Sequence, residues 1–115
     1  MYYGNNSGIW NGSGVSFLDV SEPGFAYGVA YLITREQYEH ICQEEGPSDN
    51  CYNLRLNLGT HDNISVMTIT NCIKRPLNDA SEKYVDILLE GLKENYKYLS
   101  IDEIREYLAN RSNVF

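Results

Sequence analysis

Hydrophobic side chains alternate with polar ones in the middle of the chain. Residues 52–58 place an apolar side chain at every second position, and residues 64–71 follow after the turn-forming stretch GTHDN. A two-residue period interrupted by a short polar break is typical of a β-hairpin. We therefore expect two antiparallel strands here. The apolar positions expected in the core are Leu54, Leu56, Ile64 and Val66.

An earlier segment is apolar without alternation. Residues 27–33 (YGVAYLI) are too few for a typical helix and rich in strand-forming types. Such a run predicts a central strand buried on both faces, with Gly28 at a point of close approach. Residues 15–20 predict a shorter strand, ended by the turn residues SEPG. Residues 1–14 are rich in Gly, Asn and Ser and predict loop and turn, anchored by Trp10.

Three segments have the apolar spacing of amphipathic helices. The first follows Thr34, whose hydroxyl forms a capping box with Gln37, and it ends at Gly46. The second spans residues 81–95, and the third follows another capping box that begins at Ser100. Helices are therefore expected in the middle and at the end of the chain.

The order of these elements favours an α+β fold. Strand, strand, helix, strand, strand, helix and helix predict a small, curved, mostly antiparallel sheet or barrel with flanking helices. A length of 115 residues is usual for one domain, so residues 1–115 are expected to form a single domain.

Charge and cysteine content exclude several classes of partner. With 9 Lys+Arg against 16 Asp+Glu the net charge is −7, which disfavours binding to nucleic acid or to a membrane surface. No apolar run approaches the roughly 18 residues of a membrane span. The 3 cysteines are an odd number without a CxxC motif, so we expect reduced thiols, a cytoplasmic location, and neither a metal site nor a cofactor.

Glu45 is the strongest candidate for a proton-transfer residue. It lies seven residues after Tyr38 on the apolar face of the first helix, in the last turn. Loss of hydration and the negative end of the helix dipole would both favour its protonated form, which suits proton transfer near neutral pH. Alternatively, the last turn frays and Glu45 turns into solvent. Spacing alone leaves both interpretations open.

Two tyrosines could accompany this carboxylate. Tyr52 begins the next apolar strand face, where its hydroxyl would bond to a carboxylate or to backbone. Tyr84 lies in the first turn of the second helix, where it would line a cavity or simply pack.

The stretch from residue 10 to residue 95 resembles the γ-glutamylcyclotransferase family, including its butirosin-cyclotransferase-like members. The matching features are Trp10 with its Gly-rich turn, YGVAYLI, QEEG at 43–46, Tyr52, and ASEKYVDILLEGLKEN at 80–95 with Tyr84 and Gly91. The resemblance implies that Glu45 is the catalytic general acid and base, and that Tyr52 and Tyr84 contact substrate. The implied reaction cyclises a γ-glutamyl amine or amino acid to 5-oxoproline, releasing an amine without a cofactor.

The chain departs from this family at its N-terminus. Relatives open with a strand and a Tyr-Gly-Ser-Asn loop that holds the substrate. Tyr3, Gly4 and Asn5 resemble that loop and are candidate substrate-binding residues, but Trp10 follows almost at once. We therefore expect the family's first strand and anchor loop to be missing.

That departure has consequences for activity and assembly. The chain would be a weak or inactive enzyme, or a non-catalytic small-molecule-binding or interaction domain. An unpaired sheet edge would favour a homodimer, or an N-terminal segment folded across that edge.

Overall fold

Residues 1–46 and 51–109 are described by a computed structural model and form an α+β fold. The strands are Tyr2–Ser7 (β1), Ser13–Phe17 (β2), Leu54–His61 (β3) and Ile64–Thr70 (β4). The helices are Arg35–Glu45 (α1), Glu82–Asn95 (α2) and Ile101–Ala109 (α3). Within these residues β1 pairs with β2 and β3 with β4, giving two small antiparallel sheets. The prediction of one larger sheet is therefore wrong for the described residues.

These elements belong to two compact units. Unit 1 comprises Met1–Ser16, Phe25–Tyr27 and the described part of Pro76–Phe115. Unit 2 comprises Phe17–Gly24 and the described part of Gly28–Arg75.

Unit 1 has its core between α2 and α3. Leu89 from α2 packs with Ile104, Tyr107 and Leu108 from α3, and all four side chains are buried. Each helix follows a serine cap: Ser81 Oγ accepts from the Tyr84 N–H at 3.1 Å, and Ser100 forms the predicted capping box with Glu103. Burying a large apolar side chain contributes about 1.5–3 kcal/mol, so the packing of these four side chains stabilises unit 1.

β1 corrects the prediction of loop and turn over residues 1–14. The Asn5 N–H donates to the Pro76 carbonyl at 3.0 Å, the Asn78 N–H donates to the Tyr3 carbonyl at 3.1 Å, and Gly4 bridges Leu77. Asn5 adopts a φ of 65°, which asparagine tolerates better than most residues. Composition favoured a loop, but pairing with β2 makes this segment a strand, and the distant segment around Leu77 adds further backbone hydrogen bonds.

Unit 2 contains the predicted hairpin, which is confirmed with a shorter turn. β3 and β4 pair from Leu54 opposite Thr70 to His61 opposite Ile64. The turn is reduced to Asp62–Asn63, both at positive φ, which matches the twist of the strands. Leu54, Leu56 and Val66 are half-buried, whereas Ile64 is 51% exposed because it lies beside the turn. The prediction that Ile64 lies in the core is therefore wrong.

Helix α1 has the predicted bounds and is attached to β3. The predicted capping box is present: the Gln37 N–H donates to Thr34 Oγ1 at 3.1 Å, and the Thr34 N–H donates to Gln37 Oε1 at 2.9 Å. Arg55 donates two hydrogen bonds of 2.8 Å to Glu39, which lower the pKa of that carboxyl. The Arg55 guanidinium also lies 5.5 Å from the centre of the Tyr38 ring.

The strand predicted over residues 27–33 is not formed. Tyr31 and Leu32 are 77% and 82% exposed, and Val29 and Ile33 are also exposed. Among the described residues β3 and β4 pair only with each other, so neither edge of this hairpin takes up the segment. An apolar run indicates a tendency to be buried, but it does not specify which backbone will pair with it. The strand predicted over residues 15–20 is likewise shifted to Ser13–Phe17.

Candidate functional site

Glu45 is the last residue of α1, and its side chain is exposed. The inward face of the helix ends one turn earlier, because Tyr38 is half-buried and Cys42 is buried, and the chain then leaves the helix at Gly46. The inward-facing Glu45 expected from spacing is therefore wrong, and the solvent-facing alternative is the one found. The Tyr52 N–H donates to the Glu45 carbonyl at 3.1 Å, so the two residues lie side by side in unit 2.

Gly46 and Phe17 fix the position of Tyr52. A Cβ on Gly46 would lie 2.5 Å from the Tyr52 carbonyl oxygen, so only glycine allows this approach of the two main chains. The Tyr52 ring stacks on the buried Phe17 ring, with a centroid distance of 4.6 Å and an interplanar angle of 22°. The glycine of the QEEG sequence thus has a packing reason that is independent of any catalytic role.

Tyr84 anchors the aromatic cluster of unit 1. Its hydroxyl accepts the Ser16 N–H at 2.9 Å and lies 2.9 Å from Ser16 Oγ. Its ring meets Trp10 and Tyr3 edge-on, at centroid distances of 5.0 and 6.4 Å. Sequence analysis named Trp10, Tyr3 and Tyr84 but missed Ser16, because nothing in its local sequence separates it from an ordinary strand serine.

The three residues that resemble the anchor loop lie in β1 rather than in a loop. Tyr3 is buried and its hydroxyl donates to the Leu108 carbonyl at 3.1 Å, while Gly4 is buried. The Asn78 side chain donates to the Asn5 carbonyl at 2.9 Å. Tyr3, Gly4 and Asn5 therefore contribute to the packing of unit 1, and their role in substrate binding stays a prediction.

The candidate residues belong to different units. Glu45 and Tyr52 are in unit 2, whereas Tyr84, Tyr3, Gly4 and Asn5 are in unit 1. Unit 2 brings the first pair together through the main chain, and unit 1 brings Tyr3 and Tyr84 together through their rings. A cavity shared by Glu45, Tyr52 and Tyr84 stays a prediction.

Charged side chains near these residues have clear partners. Glu44, next to Glu45, pairs with His40 at 2.9 Å in an exposed position. Burial raises the pKa of Asp19, but hydrogen bonds from Lys74 Nζ and from Ser21 outweigh it, and the net pKa is lowered. Burial, together with the Cys42 thiol beside it, raises the pKa of Tyr38.

Neither a metal cluster nor a membrane helix is found in the described part of the chain. Residues 1–46 and 51–109 contain no group of three or more His, Cys, Asp or Glu side chains that could hold a metal ion. None of their helices is long and apolar enough to cross a membrane. The three cysteines Cys42, Cys51 and Cys72 are present as thiols.

Comparison with known proteins found no matching family model, no matching curated protein and no matching solved structure.

Proposed function

We propose that the chain is a γ-glutamylcyclotransferase-like domain, with the α+β fold of that family, in which Glu45 transfers protons. The substrate is a γ-glutamyl amine or amino acid. Its α-amine nitrogen bonds to the γ-carbonyl carbon, and the bond from that carbon to the leaving nitrogen breaks. Glu45 takes the proton from the attacking nitrogen and returns one to the leaving amine, giving 5-oxoproline and a free amine without a cofactor.

The observation that carries this proposal is the pairing of Glu45 with Tyr52. The carboxylate is accessible to a ligand, and the main-chain hydrogen bond of 3.1 Å keeps Tyr52 next to it. The Arg55–Glu39 contact attaches α1 to the hairpin, so the helix that presents Glu45 is held in place. The Tyr52 ring is held by stacking on Phe17, so an ordered aromatic residue lies next in space to an accessible acid, and such an acid can move protons on a bound amine. The reduced thiols support a cytoplasmic location.

Specific hydrogen bonds favour a second candidate, a non-catalytic small-molecule-binding or interaction domain. The N–H groups of Asn5 and Gly14 donate to the carbonyls of Pro76 and Asp79, so neither is directed at a ligand.

Substrate positioning supplies about 7–11 kcal/mol of a barrier, and oxyanion donors about 3–4 kcal/mol more. A base alone gives typically about 10²–10⁴-fold acceleration. We therefore expect slow turnover.

The experiment incubates the chain with a panel of γ-glutamyl amines and γ-glutamyl amino acids and measures 5-oxoproline release. Glu45→Gln keeps the side-chain size but removes proton transfer, so turnover should fall at least about 10²-fold. Glu44→Gln is the matched control, because Glu44 is adjacent, exposed and bonded to His40, and it should keep wild-type turnover. No release from any substrate, or equal effects of the two substitutions, would reject the enzyme and leave the binding domain.

A further inference from the structure

Unit 1 contains a cavity of about 490 Å³ in the groove between α2 and α3. Tyr3 of β1 lines one side of it. Small-molecule sites usually enclose about 300–1,000 Å³, so this volume suits a ligand the size of an amino acid or a dipeptide. Neither Glu45 nor Tyr52 lines this cavity, so a ligand bound here would not contact the proposed proton-transfer residue, although Tyr3, a candidate substrate-binding residue, is part of the lining.

The floor of the cavity is apolar and belongs to the packed core. Val85 and Leu89 lie one turn apart on α2, and Leu108 faces them from α3. Leu89 and Leu108 are buried, and the Tyr3 hydroxyl donates to the Leu108 carbonyl at 3.1 Å. Because these contacts exist without a ligand, the floor is preformed, and little ordering free energy is lost on binding.

Charges of both signs line the same cavity. Asp79 lies just before α2, Asp86 lies in its second turn, and Arg105 lies on α3. Within the described residues no nitrogen of Arg105 lies within 4.0 Å of a carboxylate oxygen, and neither aspartate has an ion-pair partner. The two signs therefore line one cavity without forming an ion pair with each other.

We propose that this cavity binds a free α-amino acid with an apolar side chain. The ammonium group pairs with Asp79 and Asp86, and the carboxylate accepts hydrogen bonds from the planar guanidinium of Arg105. The side chain rests on Val85, Leu89 and Leu108. A ligand with one charge would leave the opposite sign of the cavity uncompensated, whereas a zwitterion satisfies both.

The test titrates the isotopically labelled full chain with leucine and follows its amide resonances. Leucine should shift resonances of residues that line the cavity, and the shifts should saturate. Glycine lacks the apolar side chain, N-acetyl-leucine lacks the ammonium and leucinamide lacks the carboxylate. N-acetyl-leucine and leucinamide should each bind about two- to fivefold more weakly, the range expected for contacts at an exposed rim. Glycine cannot cover the apolar floor and should bind about tenfold more weakly or worse.

Two substitutions assign the charged contacts. Arg105→Gln should remove the preference for leucine over leucinamide. Asp86→Asn should reduce the preference for leucine over N-acetyl-leucine. Lys97→Gln and Glu94→Gln are the matched controls, because both side chains are exposed in unit 1 and neither lines the cavity. Both controls should bind leucine as the wild type does.

Two outcomes would overturn the proposal: no saturable shift up to the solubility limit of leucine, or preferences that Arg105→Gln and Asp86→Asn leave unchanged. Leucine binding should persist in the Glu45→Gln variant. Absence of leucine binding and absence of 5-oxoproline release are therefore separate results.

Discussion

At the scale of single residues, Gly14 shows how the absence of a side chain allows two segments to meet. Its N–H donates to the Asp79 carbonyl at 2.9 Å, and it bridges Ala80 in parallel orientation. A Cβ at this position would overlap the Asn78 carbonyl oxygen and lie 2.8 Å from the carbonyl carbon. The Asn78 side chain also donates to the Gly12 carbonyl at 2.8 Å, so a second hydrogen bond, two residues before Gly14, joins the same two segments.

Gly14→Ala should therefore destabilise unit 1 by about 1–3 kcal/mol, the usual range for overpacking, because the atoms that must move are backbone atoms. The measurement is urea denaturation followed by circular dichroism. Gly8→Ala is the control, since nothing lies within 4 Å of a Cβ there, and it should change stability by less than about 0.5 kcal/mol. Equal midpoints for the two variants would show that the approach of Gly14 to Asn78 is not tight in solution.

At the scale of elements, hydrogen bonds from side chains at or beyond the ends of strands connect segments of unit 2. Thr70 at the end of β4 donates its hydroxyl hydrogen to the Leu18 carbonyl at 2.6 Å. Lys74 donates to Asp19 at 2.8 Å, and the Asp19 side chain is 9% exposed. These two contacts attach the segment after β2 to the segment after β4.

The lowered pKa of Asp19 predicts a specific dependence of stability on pH. Because the folded pKa lies below the unfolded value of about 3.9, the unfolded state binds more protons. The contribution is therefore complete above the unfolded pKa and is lost as pH falls through the folded pKa. Lys74→Gln should lower the free energy of unfolding at neutral pH by about 1 kcal/mol after allowing for solvent screening. It should also flatten the acid limb of the stability curve, that is, make stability fall less steeply as the pH decreases.

Urea midpoints measured from neutral to acidic pH check this prediction. Lys93→Gln is the control, because Lys93 is half exposed and its nearest carboxylate oxygen, on Glu90, is 3.9 Å away. It should leave the acid limb unchanged. The assignment fails if Lys74→Gln and wild type lose stability with the same slope below pH ~4.

At the scale of the whole molecule, the exposed apolar side chains favour self-association. Phe25, Tyr31 and Leu32 are 69%, 77% and 82% exposed, in a segment whose sequence is typical of a strand. An exposed apolar segment whose backbone can pair with another chain is a recognised route to association. The homodimer expected from the sequence stays a prediction.

Sedimentation velocity over a range of concentrations checks the homodimer. Wild-type chain should show a dimer fraction that rises with concentration, and Leu32→Asp should reduce it by introducing a charge into the apolar segment. Ile9→Asp is the control, because Ile9 is 89% exposed but lies in the turn between β1 and β2. Wild type that remains monomeric at every concentration would contradict the dimer.

Features that depend on neighbouring residues were predictable from the amino-acid sequence. Thr34 with Gln37 located the start of α1, Ser100 with Glu103 located the start of α3, and alternation identified the hairpin. A capping hydrogen bond joins residues only three apart in the chain, so its pattern is visible in a short window. The proximity of Glu45 and Tyr52 was also predictable, because few residues separate them.

Features that need a distant partner depended on how the chain folds in three dimensions. Residues 2–7 became a strand because they pair with β2, and the distant segment around Leu77 adds backbone hydrogen bonds, although their composition favours a loop. Residues 27–33 have the composition of a strand and did not form one, because no backbone among the described residues pairs with them. Ser16 entered the Tyr84 cluster for the same reason, because its partner lies far along the chain. Backbone pairing and burial are fixed by which segments meet in space, and one-dimensional patterns do not contain that information.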